Sequence, residues 1–144
     1  MKNASAVRAV LDTNVLVAAL RSRRGSSFEV FRRLRHGGWT AVLSNHLLYE
    51  YEEILKRQAP SLGLSIGDVD ELLNAVCARA KEWTLPPDWA PVLADPDDEP
   101  LVQLAEESGA KLIVTHNAAH LQPATQRGIR VLPPREFLVI LRAR

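Results

Sequence analysis

The feature that most constrains this chain is a repeated alternation. Short apolar runs are followed by longer segments with helical spacing. "AVRAVLDTN", "WTAVLS", "KLIVTHN" and "GIRVLP" read as short strands, the first ending at Asp12. "VLVAAL" begins a helix, and "RSRRGSS" is a polar loop. "SFEVFRRLRHGG" is a helix with Phe28, Phe31 and Leu34 on one side and glycine at its end. Ser44 caps "NHLLYEYEEILKRQ", and Pro60 and Gly63 break it. "SIGDVDELLNAVCARAKEW" is a further helix with Ile66, Val69, Leu72, Leu73, Val76 and Ala80 inward. "EPLVQLAEESGA" and "PREFLVILRAR" are the last two helices, and a short helical turn follows "KLIVTHN". Strands alternating with helices predict an α/β fold: a parallel sheet of about four to five strands with helices on both faces.

Length decides how many such units there are. With 144 residues, one domain spanning 1–144 is expected. "TLPPDWAPVLADPDDEP" is the one long irregular stretch. Too little chain follows it for an independent second domain, so it reads as a surface connection. No apolar run approaches the roughly 20 residues of a membrane span, and no signal-peptide core is visible. One cysteine, Cys77, cannot form an internal disulfide, which favours a reducing cytoplasm. The net charge of +1 identifies no partner. Its distribution says more: six arginines fall between Arg21 and Arg35, and acids crowd residues 95 to 107. A basic patch beside an acidic one suits a phosphate-backbone ligand held near a metal. Two solvated helix faces of opposite sign would give the same pattern.

In parallel α/β sheets, ligands bind beyond the carboxyl ends of the strands, at a switch in strand order. Asp12, Ser44, Thr115 and Asn117 end three of the predicted strands, and "DPDD" opens the helix before the third. Asp12 is equally readable as a helix cap or turn residue. On the helix after Ser44, Glu50 and Glu52 lie at opposite edges of the apolar arc, so spacing leaves the inward acid open. Asp98 suits a helix cap, with Pro100 in the first turn. One cap needs one acid, however, and "DPDDE" supplies four. The excess favours a hard cation, Mg²⁺ or Mn²⁺, which prefer oxygen ligands. His116 and His120 have the spacing of two ligands on a helix, but no third nitrogen or sulfur partner for zinc is in evidence. Phosphate-loop, dinucleotide and nucleophile-elbow motifs are absent. The tryptophans, Trp39, Trp83 and Trp89, read as packing rather than base-stacking residues.

"VLDTNVLVAAL", "LSNHLLYEYEEIL", "ADPDDEPLVQLAEESGAKLIVTHN" and "GIRVLPPREFL", in that order, resemble the PIN-domain ribonucleases, and most of all their bacterial toxin–antitoxin branch. The resemblance covers nearly the whole chain and implies a PIN-like sheet. The family's first acid falls on Asp12, its helix glutamate on Glu50, and its third acid on Asp98, seven residues before Ala105. Ser44 matches a polar position, and Asn14 and Thr115 fall where supporting polar groups are expected. Asn117 stands where the family often has a fourth acid, which puts a second metal in doubt; Asp95 or Asp97 would compensate in part. The resemblance implies Mg²⁺- or Mn²⁺-dependent endonucleolytic cleavage of single-stranded RNA, leaving 5′-phosphate and 3′-hydroxyl ends. Asp12, Glu50 and Asp98 would be catalytic and metal-binding, with Asp95 and Asn117 as further candidate ligands. Arg21, Arg23, Arg24 and Arg32 would contact the RNA backbone. It also implies a homodimer and an antitoxin protein whose peptide blocks the groove. Two rival readings are a non-catalytic PIN-like module that binds RNA or protein, and a metal-dependent phosphatase or DNA nuclease.

Overall fold

The computed structural model describes residues 7–85 and 98–143. The chain runs β1 (Arg8–Leu11), α1 (Thr13–Arg21), α2 (Ser26–Arg35), β2 (Thr40–Leu43), α3 (Asn45–Leu62), α4 (Ile66–Ala78) and β3 (Ala80–Glu82). It continues with α5 (Glu99–Glu107), β4 (Leu112–Val114), a 3-10 helix (Ala118–Arg127), β5 (Arg130–Leu132) and α6 (Pro134–Arg142). The strands form one five-stranded sheet in the order β3-β2-β1-β4-β5. Every pairing is parallel, for example Leu11 with Val114 and Ala9 with Ala41.

Neighbouring residues of a strand point to opposite faces. Ala9, Val10 and Leu11 are all buried, as are Ala41, Val42 and Leu43 of β2 and Ile113 and Val114 of β4. Both faces of the central sheet are therefore covered, as parallel sheets require. Helix α2 is pinned to α6 through Trp39, whose indole lies 5.1 Å from Phe137 in an edge-on contact. Its Nε1 donates to the Val30 carbonyl at 2.9 Å, so the ring is buried without an orphaned donor. The expected packing role of Trp39 is thus observed, and Trp83 packs partly buried against the core.

Three expectations need correction. The helix predicted from Ser65 through Trp83 stops at Ala78, and Ala80–Glu82 is the fifth strand. Lys81 and Glu82 pair with Val42 and Leu43, and the Trp83 N–H extends the ladder to the Leu43 carbonyl at 2.7 Å. A free sheet edge thus overrides local helix propensity. Ile66, expected inward, is half exposed because it is the first residue after the Ser65 cap, ahead of the packed face. Helix α3 also passes through Pro60 to Leu62. Pro60 is exposed, and the helix ends instead at Gly63. There a φ of 71° lets the chain turn back, so the Gly63 and Leu64 N–H groups reach the last carbonyls. Most of the segment expected as a surface connection, residues 86–97 with Trp89, Asp95 and Asp97, lies outside the described residues, and its last two residues, Glu99 and Pro100, open α5.

Strand order reverses between β1 and β4. Both β2 and β3 lie on one side, and β4 and β5 on the other. The crevice of the fold opens at the carboxyl ends of those two strands.

Candidate active site

Asp12 leaves β1 directly at this crevice. Its N–H donates to the Val114 carbonyl at 2.9 Å, which fixes its backbone to the neighbouring strand. It occupies the N-cap position of α1, yet its side chain makes no cap hydrogen bond to that helix. Instead Oδ2 accepts the Thr115 hydroxyl at 2.7 Å and the Asn14 amide at 3.3 Å. The cap reading of Asp12 is therefore not the one the geometry supports. Thr115 is buried at the end of β4. Its Oγ1 also accepts the Asn117 N–H at 3.0 Å, and the Asn14 amide reaches it at 3.3 Å. The Asn14 carbonyl oxygen accepts the His116 N–H at 3.2 Å. The carboxylate is thus oriented from the end of β4 and from the first turn of α1 at once.

Glu50 approaches from α3. Its Oε2 accepts the Thr13 hydroxyl at 2.5 Å, across 37 residues of sequence. Glu52 instead pairs with Lys56 at 3.0 Å along the same helix. That contrast resolves the choice the helical spacing left open. The next residue, Tyr51, is fully buried and donates its hydroxyl to the Leu11 carbonyl. It ties α3 to the last residue of β1, one position before Asp12. Burial, with the charges of Asp12 and Glu50, pushes the Tyr51 phenol well above its ordinary value, so it is a permanent donor.

Asp98 precedes α5, and its side chain makes no cap hydrogen bond to that helix. Seven residues on, Ala105 is fully buried. Asp12, Glu50, Asp98 and Asn117 line one open cavity of about 610 Å³, with Thr13, Asn14 and Arg21. Burial raises the Asp12 carboxyl above its ordinary value. The Thr115 hydrogen bond opposes that, and the charges of Glu50 and Asp98 push it further up. Asp12 therefore feels the other two acids, and a cation placed among them would relieve the repulsion. Among the described residues, no three acidic, His or Cys side chains close tightly enough to enclose an ion by themselves. A hydrated Mg²⁺ or Mn²⁺ fits such an open set better than a fully liganded ion, because magnesium keeps several waters and takes one or two carboxylates.

Other predicted residues fall elsewhere. Ser44 is buried and caps α3, accepting the Leu47 N–H at 3.1 Å; it does not line the cavity. Arg21 does line it, and donates to Gln58 at 3.0 Å. Arg23 and Arg24 line a different cavity. Arg32 forks onto Glu29 at 2.7 and 2.8 Å, so its guanidinium is already occupied. That carboxylate is held down at about 2 by Arg32 first and by Arg33. Asp95 lies outside the described residues. His116 bonds Ser27 through Nε2 at 2.7 Å. Sequence reasoning did not single out Thr13 and Tyr51. Thr13 directly follows the key acid, but nothing in the sequence links it to a residue 37 positions later.

The molecule is a parallel α/β domain with an acidic cavity at the carboxyl edge of its sheet. The profile of the PIN domain matches residues 8–119, and the chain belongs to the PIN domain family. PIN domains are generally nucleases, and they generally use divalent metals. The fold is similar to that in the crystal structure of VapBC2 from Rickettsia felis bound to a DNA fragment from their promoter. The TM-score is 0.57 and the identity 14%, over 87% of this chain and 96% of the other. No curated protein sequence matches the chain.

Proposed function

We propose that this PIN domain is a metal-dependent endoribonuclease that cleaves single-stranded RNA, and that it is the toxin of a toxin–antitoxin pair acting in the cytoplasm. One observation carries the reading. Asp12, Glu50 and Asp98, distant in sequence, line one cavity at the strand-order switch, and Asp12 responds to the charge of both partners. These three would hold Mg²⁺ or Mn²⁺, with Asn117 as a neutral neighbour. Such an ion lowers the pKa of a bound water and offsets charge developing at phosphorus. Thr115 and Asn14 hold the Asp12 carboxylate in one orientation, and Thr13 holds Glu50. Arg21, which lines the cavity wall, would meet a phosphate oxygen. Hydrolysis would leave 5′-phosphate and 3′-hydroxyl ends. A homodimer, and an antitoxin peptide covering the cavity, belong to the same reading.

The rival is a non-catalytic binding module, and the neutral Asn117 at the cavity favours it. Cleavage of single-stranded RNA, DNA and a small phosphate ester, each with and without Mn²⁺, separates the readings. RNA alone should be cut, and only with the metal. Asp12→Asn keeps the shape and removes one charge from the ion's surroundings. It should lower the rate by about 10² or more, the scale of several kcal/mol of transition-state stabilisation. Equal cleavage by both folded proteins would refute the mechanism, and binding without cleavage would establish the module.

A further inference from the structure

The loop between α1 and α2 meets α6 at a second, smaller cavity of about 370 Å³. Arg23, Arg24, Ser26, Glu29, Arg135 and Arg142 stand in its wall. Arg135 and Arg142 are seven residues apart on α6 and so share one face of that helix. All four arginines are exposed, and none forms an ion pair among the described residues. Among the described residues, Glu29 is the one acid in the wall, and Arg32 and Arg33 clamp it at 2.7 and 2.8 Å, so its charge is offset outside the cavity. Four clustered guanidinium groups, none of them ion-paired among the described residues, repel one another. That arrangement is relieved by an anion, and their planar forks match phosphate oxygens.

The position of the cavity narrows the choice of anion. Ser26 opens α2, and the next residue, Ser27, bonds His116 at 2.7 Å. The His116 N–H reaches Asn14, and Asn14 reaches Asp12. Ser27, the neighbour of the wall residue Ser26, is thus three hydrogen bonds from the acid that would hold the metal. We infer that this cavity, formed by Arg23, Arg24, Arg135 and Arg142, binds backbone phosphates of the single-stranded RNA whose scissile bond lies in the acidic cavity. The inference rests on the ribonuclease reading. It replaces Arg32, which is spent on Glu29, with two residues of the last helix.

Counterion release gives the test. Each phosphate contact on a single strand contributes about 0.7 to the slope of log K against log salt. Binding of a labelled single-stranded RNA oligonucleotide is followed across a salt series in chelator, which keeps metal-dependent cleavage off. Arg135→Gln and Arg142→Gln are compared with Arg130→Gln, an equal charge change on β5 away from this cavity. Thermal melting checks the fold of each variant. The first two should each weaken binding and flatten the slope by about 0.7, while Arg130→Gln leaves the slope unchanged. RNA bound by all variants with one slope overturns the cavity assignment and leaves the nuclease reading standing. No RNA binding by the unmodified chain in chelator overturns the cavity assignment, and no cleavage of the same RNA in Mn²⁺ overturns the nuclease reading as well. An acidic peptide that outcompetes RNA, and loses affinity in the same two variants, gives the cavity to a protein partner and overturns the RNA assignment.

Discussion

Thr115→Val exchanges one hydroxyl for a methyl group at the point where the end of β4 orients Asp12. The side chain is fully buried, and the volume barely changes, so cavity formation contributes little. What is lost is the 2.7 Å hydrogen bond to a charged carboxylate, together with the acceptor used by the Asn117 N–H at 3.0 Å. A hydrogen bond to a charged group contributes about 1.5–3 kcal/mol. At about 2–4 °C per kcal/mol for a chain of this size, the variant should melt about 5 °C lower at pH 7 in chelator. The loss should depend on pH. Folding raises the Asp12 carboxyl above 3.8, so its charged form costs stability above the folded value, and that stability returns as pH falls through it. Thr115 is the interaction that most opposes the rise. Without it the penalty at neutral pH is larger, and the penalty disappears once Asp12 is protonated in both proteins. The melting difference should therefore narrow as pH falls through the Asp12 titration toward 3.8. Titration calorimetry should also find Mn²⁺ bound about 10–100-fold more weakly, the usual effect of losing a partner that orients a metal ligand. Coincident melting curves at pH 7, or a difference independent of pH, would refute this account of Thr115.

Asp12→Asn should raise the melting temperature in chelator, because it removes a buried charge that Glu50 and Asp98 repel; a fall would show that the acids do not strain the metal-free fold. Saturating Mn²⁺ should stabilise the unmodified chain by about 2.7 kcal/mol at 100 times the dissociation constant, and Asp12→Asn should lose most of that gain in the same melts. Asn117→Asp should strengthen a second, weaker Mn²⁺ site in calorimetry, and two equally tight ions in the unmodified protein would contradict the role given to Asn117. Glu29 is held at about 2, below its ordinary 4.5, so it stabilises the fold above 4.5 and that contribution fades as pH falls toward 2. Glu29→Gln should flatten the acid limb of the pH–stability curve in that window, as read by urea melts.

The sheet was legible where strands are apolar and buried on both faces, as in "RAVL" and "TAVL". It was not legible at Ala80–Glu82, which lacks β-branched residues and pairs only because β2 offers an open edge. The 3-10 helix from Ala118 to Arg127 was readable only as a short turn, since Pro123 falls inside it. In the site, Asp12 and Asp98 stood out by their place at a strand end and a helix start. Helical spacing alone could not separate Glu50 from Glu52. Their difference is made by Thr13, which the fold brings to Glu50, and by Lys56, one turn beyond Glu52. The pairing of Arg32 and Arg33 with Glu29 is local and could have been read from the three- and four-residue spacing. The meeting of Arg23 with Arg142 could not, because more than a hundred residues separate them in the chain.

The hydrogen bond from Thr115 to Asp12 spans 103 residues. A ribosome adds about 5–20 residues per second, so the first acid waits several seconds in the nascent chain before its partner strand exists. During that interval β1 lacks the neighbour on one side, and the crevice has a single wall. A chain that ends between Asp98 and Thr115 carries Asp12, Glu50 and Asp98 but not the hydroxyl that orients the first of them. For an activity directed at RNA, that delay is a form of timing. On the ribonuclease reading proposed above, the growing polypeptide would stay inactive toward the messenger that encodes it until Thr115 has been made.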